Sequence, residues 1–359
     1  MHAMLSTAIG LSRKIVAETA KACFSTSTNL PRKKVVVTAK AFEETYQSLT
    51  NNGLEVTGNA TTEPWKREEL IAHARDAHAM LAFMTDSVDE AFLDACPDLE
   101  LIACALKGFD NFDIQKCAER GVAVTAVPDL LTAPTAELAV LLALGLGRRI
   151  LQADENVRSG AFQGWRPTLY GTGLAGTTVG IYGAGAVGQA VAQRIVGFGL
   201  KRMLYVDPDR LDPQTEGHLK VEAANSIGDL LQTCDFLFVC TPLNESTYHV
   251  INQKALSQAK PGLMLINISR GSCVEEAAVV GSLESGQLAG YAADVFEFED
   301  WILENRPKSI HSRLHAHPRT LFSPHLGSAV RSTRRGIEQA AADEILRWSR
   351  GEDYLYRVN

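Results

Sequence analysis

The feature that most restricts the fold is the spacing of three glycines. Residues 179–207 read VGIYGAGAVGQAVAQRIVGFGLKRMLYVD, in which Gly183, Gly185 and Gly188 form G-x-G-x-x-G directly after the apolar run Val179–Tyr182 and at the start of a helix-like run. The first glycine permits a tight turn, the second lets backbone approach a pyrophosphate, and the third lets helix pack close to strand. The helix opening near Ala186 would aim the N–H groups of Ala186 and Val187 at that anion. A second strand, Lys201–Val206, then ends at Asp207, 19 residues beyond Gly188. A carboxylate there suits the free ribose hydroxyls of NAD and would repel a 2′-phosphate. Glycines in such a turn can serve packing alone. Strand, glycines, helix, strand and acid in that order carry the dinucleotide reading.

A chain of 359 residues exceeds one ordinary core and implies about two domains. With 35 basic against 42 acidic residues the net charge is −7, and no basic stripe follows the N-terminal region, so nucleic acid is not an expected partner. Apolar runs such as Leu138–Leu146 stop short of the roughly 20 residues a membrane span needs. The seven cysteines form no C-x-x-C pair and their number is odd, which fits a reduced, intracellular protein. His311, His315 and His317 lie in a polar loop without nearby cysteines or matching acids, so no metal is expected.

Residues 1–34 stand apart: six Lys/Arg, one acid (Glu18), eight Ser/Thr, and Leu5, Ile9 and Val16 at helical spacing. They resemble an organelle transit peptide, mitochondrial more than plastid, with removal near residues 24–28. The alternative is a disordered extension or an early start codon. The expected location is the mitochondrial matrix if the extension is a transit peptide, and otherwise the cytoplasm.

From Val35 the chain alternates. Val35–Thr38, Leu54–Thr57, Ala79–Phe83, Leu99–Ala105 and Val122–Thr125 read as strands, with helices around Lys66–Arg75 and after Ser87, where Glu90 completes a capping box. Glu137–Arg149 reads as a helix apolar on nearly every side and hence buried, in the core or at a subunit contact. Later strands are Phe236–Cys240, Leu263–Asn267, Tyr291–Asp294 and Thr320–Ser323; a helix starts at Ser272 with Glu275 and stops at Gly286, and Arg331–Arg350 is helical. Alternating β and α imply two doubly wound parallel-sheet α/β domains. The expected layout is a Rossmann NAD-binding domain (131–324) inserted into a flavodoxin-like substrate domain made of 35–130 and 325–359.

Ligands of open parallel sheets collect beyond the carboxyl ends of the strands, so charged residues there deserve a functional reading. Lys107, Arg270, Glu299 and His325 all follow strands. Singly, a loop lysine is commonly solvated and an Arg–Glu pair is commonly a weak surface contact. Their order, arginine then acid then late histidine, resembles that of the D-2-hydroxyacid dehydrogenase family, as does INISRGSCVEEAAVVGSLESGQLAGYAADVFEFE (266–299). The resemblance runs from about Val35 to about Trp348. Within the family, CALKGFDNFD (104–113), VPDLLTAPTAELA (127–139), FQGWRPTLYGTGL (162–174), YAADVFEFEDW (291–301) and SPHLGSAVR (323–331) resemble its phosphite (phosphonate) dehydrogenase branch. Lys107 stands where hydroxyacid enzymes usually carry a neutral-rich loop, and Glu-Asp-Trp at 299–301 departs from their common Glu-Pro.

The resemblance implies NAD-dependent oxidation of phosphite to phosphate, hydride leaving P–H as water attacks phosphorus. Arg270 would fork onto substrate oxygens, His325 would be the base, and Glu299 would hold its ring. Lys107 and Gly108 would sit at the substrate with Arg334, Met84, Trp165 and Tyr170, the last two reaching in from a neighbouring subunit of a homodimer. Thr135 and Asp294 would lie at the nicotinamide and Thr241 and Pro242 beside the adenine, with Gly327 a further cofactor-binding residue. Two other readings share these residues: a D-2-hydroxyacid dehydrogenase acting on a small 2-keto acid, and an NAD(H)-binding regulator of the C-terminal-binding-protein type.

Overall fold

The computed structural model describes residues 32–359, so nearly all of the transit-like extension lies outside the described residues. Twelve strands form two sheets among them. The first contains β1 (Lys34–Val37), β2 (Glu55–Gly58), β3 (Ala79–Ala82), β4 (Leu101–Cys104) and β5 (Ala123–Thr125), all parallel, in the order β2-β1-β3-β4-β5. The second contains β6 (Thr178–Tyr182), β7 (Arg202–Val206), β8 (Glu222–Ala223), β9 (Phe236–Val239), β10 (Leu263–Asn267), β11 (Leu288–Ala293) and β12 (Thr320–Phe322). Its order is β12-β11-β10-β9-β6-β7-β8, again all parallel. Helices cover both faces, and β3, β4, β9 and β10 are buried along their whole length, which is why they read as unbroken apolar runs.

The helix Arg331–Arg350 returns to the first sheet. Ile337, Ala341, Ala342, Ile345 and Trp348 share a core with Val35, Leu81 and Leu101, and Trp348 Nε1 donates to Glu100 Oε2 at 2.8 Å. That closure places His325 in the crossing segment between the two sheets.

Three sequence expectations need correction. The apolar helix spans Thr132–Gly147, because Pro134 sits in its first turn, where no N–H partner is lost. One face packs in the core and the other leaves Leu141 59% exposed in the single chain; a separate helix, Ile150–Arg158, begins after Arg149 at φ +53°. The helix after Ser87 starts at Glu90 with Asp89 as its cap, accepting from Phe92 N at 2.8 Å, while Ser87 accepts from Arg67. The helix expected at Ser272 starts at Glu276, since Ser272 N is drawn to Asp300 Oδ2 at 2.7 Å; it does stop at Gly286, with φ +81°.

Candidate active site

The glycine turn lies at the carboxyl end of β6, where neighbouring connections leave in opposite directions, β7 to one side and β9 to the other. Each glycine has its own cause. Gly183 has φ +96°, and a Cβ on it would sit 2.8 Å from Cys240 C and 2.9 Å from Thr241 N. A Cβ on Gly188 would lie 2.0 Å from Gly183 O, so the helix Ala186–Ile195 can approach the turn only through glycine. Beside Gly185 there is open space, and the first N–H groups of that helix have no partners within it. An anion fits there. Asp207, directly after β7, accepts from Ala184 N at 2.6 Å and Asp209 N at 3.0 Å, which ties the acid to the turn.

Gly185, Ala186, Val187, Thr241 and Pro242 form one wall of a cavity of about 470 Å³. The facing wall carries Met84, Lys107, Gly108 and Arg334, and between the walls stand Thr135, Arg270, Asp294, His325 and Gly327. Sequence-distant elements thus converge on one space.

Within it, His325 Nδ1 lies 2.9 Å from Glu299 Oε2, and Glu299 Oε1 accepts from Phe296 N at 2.8 Å. The carboxylate is therefore fixed at both oxygens, and it places the ring proton on Nδ1 and leaves Nε2 for a ligand. His325 has φ +55°, an unfavourable conformation for a side chain of this kind. Asp294 holds it: its carbonyl accepts from His325 N at 2.8 Å, and its carboxylate accepts from Ser323 Oγ at 2.6 Å, Leu326 N at 2.7 Å and Gly327 N at 2.8 Å. Burial pushes the Asp294 carboxyl above its usual range, against these donors. A Cβ on Gly327 would press on Thr135 Oγ1 at 3.0 Å and Asp294 Oδ2 at 3.3 Å.

Arg270 is clamped by Asp110, with Nε to Oδ2 and Nη2 to Oδ1 both 2.9 Å, while Nη1 donates to Ser269 O at 2.9 Å. Of five guanidinium N–H groups three are engaged and two remain for a ligand. Burial works against the charge on both partners. The pair's mutual attraction outweighs it, so the Asp110 carboxyl lies below its usual range and the guanidinium is held more firmly charged. Gly108 belongs to the same unit, since a Cβ there would fall 1.9 Å from Arg270 Nη2. Lys107 borders the cavity, with Nζ 2.9 Å from Asp129. Arg334 donates to Ala105 O at 3.2 Å and lies over the Phe83 ring; burial lowers its affinity for the proton.

Trp165 and Tyr170 are not brought to this cavity by their own chain. They are 77% and 73% exposed, on the segment after the helix Ile150–Arg158. Tyr170 borders a different cavity, with Arg149 and Gln152. Asp110 and Asp129, which orient two of the expected cations, were not singled out from sequence; the signal for Asp110 was its place three residues after Lys107. His311, His315 and His317 do not converge: among the described residues no three His, Cys, Asp or Glu side chains form a metal-binding group.

Residues 140–327 match the family model "D-isomer specific 2-hydroxyacid dehydrogenase, NAD binding domain". A glyoxylate reductase from Thermococcus litoralis is 37% identical over 301 residues, covering 81% of this chain and 88% of that protein. A Thermus thermophilus structure covers 91% of this chain and 100% of its own, at TM-score 0.80 and 31% identity. The NADPH-dependent glyoxylate/hydroxypyruvate reductase of Sinorhizobium meliloti, solved with NADP and malonate, covers 91% and 97% at TM-score 0.77 and 28% identity. The Thermococcus litoralis protein and a Thermococcus onnurineus relative, 36% identical, carry the name glyoxylate reductase rather than phosphite dehydrogenase, so the finer resemblance is not carried by them. The glycine turn, the acid after β7 and these matches show an NAD-binding dehydrogenase, and the chain belongs to the D-isomer specific 2-hydroxyacid dehydrogenase family.

Proposed function

We propose that the protein interconverts a small 2-oxo acid of the glyoxylate class and its D-2-hydroxy acid. The observation that carries this reading is the convergence of Arg270, the His325–Glu299 pair and the glycine turn on one cavity. The two remaining N–H groups of Arg270 suit a substrate carboxylate, which prefers a planar fork to a point charge. Asp110 and Gly108 keep that fork in place. When bound, the nicotinamide exchanges hydride with the substrate carbon. His325 gives its Nε2 proton to the carbonyl oxygen in reduction and takes it back in oxidation, and Glu299 stabilises the charged ring. Asp294 orients the histidine through the loop, and Ala186, Val187 and Asp207 hold the pyrophosphate and ribose.

A second reading, phosphite oxidation, is favoured by Lys107. With Arg270 and Arg334 it brings three cations to the cavity wall, more than a monoanion needs, and His325 would then take a proton from attacking water. One assay separates the readings: NADH oxidation with glyoxylate against NAD reduction with phosphite, D-lactate and D-glycerate. Turnover of phosphite alone replaces the first reading with the second. NADH binding without turnover of any of these removes both.

The domain division at about 131 and 324 is part of this proposal, supported by the return of Arg331–Arg350 to the first sheet. So is a homodimer. Leu141, Ile150, Leu151, Val157, Phe162, Trp165 and Tyr170 are all more than half exposed along one stretch of chain. Such a patch suits a second copy, which would bring Trp165 and Tyr170 to the partner's cavity. The six described cysteines are free, and no helix among the described residues is long and apolar enough to cross a membrane.

A further inference from the structure

A second cavity, of about 320 Å³, adjoins the first and shares with it Met84, Gly108, Asp110, Arg270 and His325. Its other side is formed in part by Thr85, Glu299, Asp300 and Trp301. Thr85 is exposed at its rim, whereas Asp300 is 2% exposed. Asp300 and Trp301 follow Glu299 where the wider family pattern has Glu-Pro, and the reading above gives them no task.

During turnover the first cavity holds dinucleotide and substrate, yet each reduction consumes one proton. The imidazolium gives its Nε2 proton to the developing alkoxide, and a proton from solvent must restore it; oxidation sends one the other way. The second cavity reaches the same imidazole and the carboxylate bonded to it without passing the first. Its charge selects what can use it. Asp110, Glu299 and Asp300 line it, and its two cationic groups are already paired, Arg270 with Asp110 and His325 with Glu299. An anionic substrate is repelled there, while water and protons are not.

We propose that this cavity is a hydrated chamber through which protons pass between solvent and His325, with the Asp300 carboxylate as the relay. The inference rests on His325 being the acid–base group of the reaction. Apolar side chains, Leu106, Val295, Phe298 and Trp301 among them, form much of its wall, and a cavity of this size has room for several waters, which the Asp110, Glu299 and Asp300 carboxylates and the Thr85 rim would anchor in a file. Asp300 accepts from Ser272 N at 2.7 Å and from the Ser272 hydroxyl, and burial outweighs these bonds and the nearby Arg270 charge, raising its carboxyl above the usual range, so it takes up a proton more readily than an exposed aspartate.

Two variants test the route. Asp300→Asn keeps an acceptor for Ser272 N and removes the titrating group, and Thr85→Trp fills the rim. Both are expected to leave KM and NADH affinity unchanged, to lower kcat about tenfold, and to raise the solvent deuterium isotope effect. Added imidazole should restore turnover of Asp300→Asn, because a mobile proton carrier replaces a lost relay. Wild-type kcat and isotope effect in both variants would overturn the proposal, as would a slowed Asp300→Asn with altered KM and no response to imidazole, which marks a merely structural role. A readout free of turnover separates this from failure of the functional reading. Exchange of the His325 ring protons with water, followed by NMR on the NAD-bound protein, should slow several-fold in Thr85→Trp; an unchanged rate overturns the route whatever the substrate is.

Discussion

The two halves of the active site are built by different means. The cofactor side is made of backbone: a turn at φ +96°, a helix start with open space beside it, and an acid hydrogen-bonded to the turn it follows. The substrate side is made of paired side chains, Arg270 with Asp110 across 160 residues and His325 with Glu299 across 26. Backbone sites demand particular residue types at fixed spacing and tolerate little change. Side-chain sites demand only that folding bring complementary groups together, so chemistry can be retuned there without disturbing the fold.

The largest break in this comparison is expected at His325. His325→Asn removes the proton carrier while leaving the glycine turn untouched, so kcat should fall by about two to four decades with NADH affinity retained. Stopped-flow binding beside steady-state rates checks both halves. Substantial kcat in the variant would move the acid–base role to another group.

The second break concerns the Arg270 clamp. Arg270→Ala should lower kcat/KM by roughly one to two decades for the lost charge-assisted bonds. Asp110→Asn should lower it by about one decade, chiefly through KM, because the guanidinium loses the carboxylate that aims it. Arg270→Lys should recover little, since a point charge cannot engage Asp110, Ser269 and substrate at once. If Asp110→Asn leaves KM unchanged, the clamp does not position Arg270.

The same contrast explains what the sequence revealed. Gly183, Gly185, Gly188 and Asp207 were legible because turn, helix start and acid are local; Gly183 and Gly188 have a steric cause, and Gly185 leaves open space beside the helix start. Buried strands such as β9 and β10 were legible as apolar runs. Asp110 was not, because nothing within its own loop points to an arginine 160 residues away. Asp294 was assigned to the nicotinamide region and does line the cavity; that four of its hydrogen bonds also hold the loop carrying His325 is visible only once that loop is folded. Helix starts failed at Ser87 and Ser272 for a related reason: Arg67 and Asp300, from other elements, compete for the groups a cap would use.

A smaller effect is expected on the cofactor side. Asp207→Ala removes the charge that opposes a 2′-phosphate but also a bond to Ala184 N. The kcat/KM ratio of NADH over NADPH should therefore fall roughly tenfold, about 1.4 kcal/mol, with some loss for both cofactors. An unchanged ratio would place the ribose elsewhere.

The smallest predicted effect is on stability, and it asks whether the side-chain half carries an electrostatic cost that the backbone half does not. Asp86 is 6% exposed and accepts from Phe83 N at 2.7 Å and from the Thr38 hydroxyl, which shapes the turn that presents Met84 to the cavity. Burial pushes its carboxyl up to about 6. An acid with a raised folded value binds its proton more tightly folded than unfolded. Its contribution to stability is therefore greatest at low pH, declines as pH rises from the ordinary carboxylate value to about 6, and is constant above that. Asp86→Asn keeps the shape and one acceptor while removing the titration. Urea unfolding of both proteins at about pH 4 and pH 7.5 should show the wild type losing on the order of 1–3 kcal/mol more than the variant over that interval, every other titrating group cancelling in the comparison. Equal losses would mean that Asp86 is ionised as readily inside the protein as in the unfolded chain, and that the Thr38 and Phe83 donors offset its burial in full.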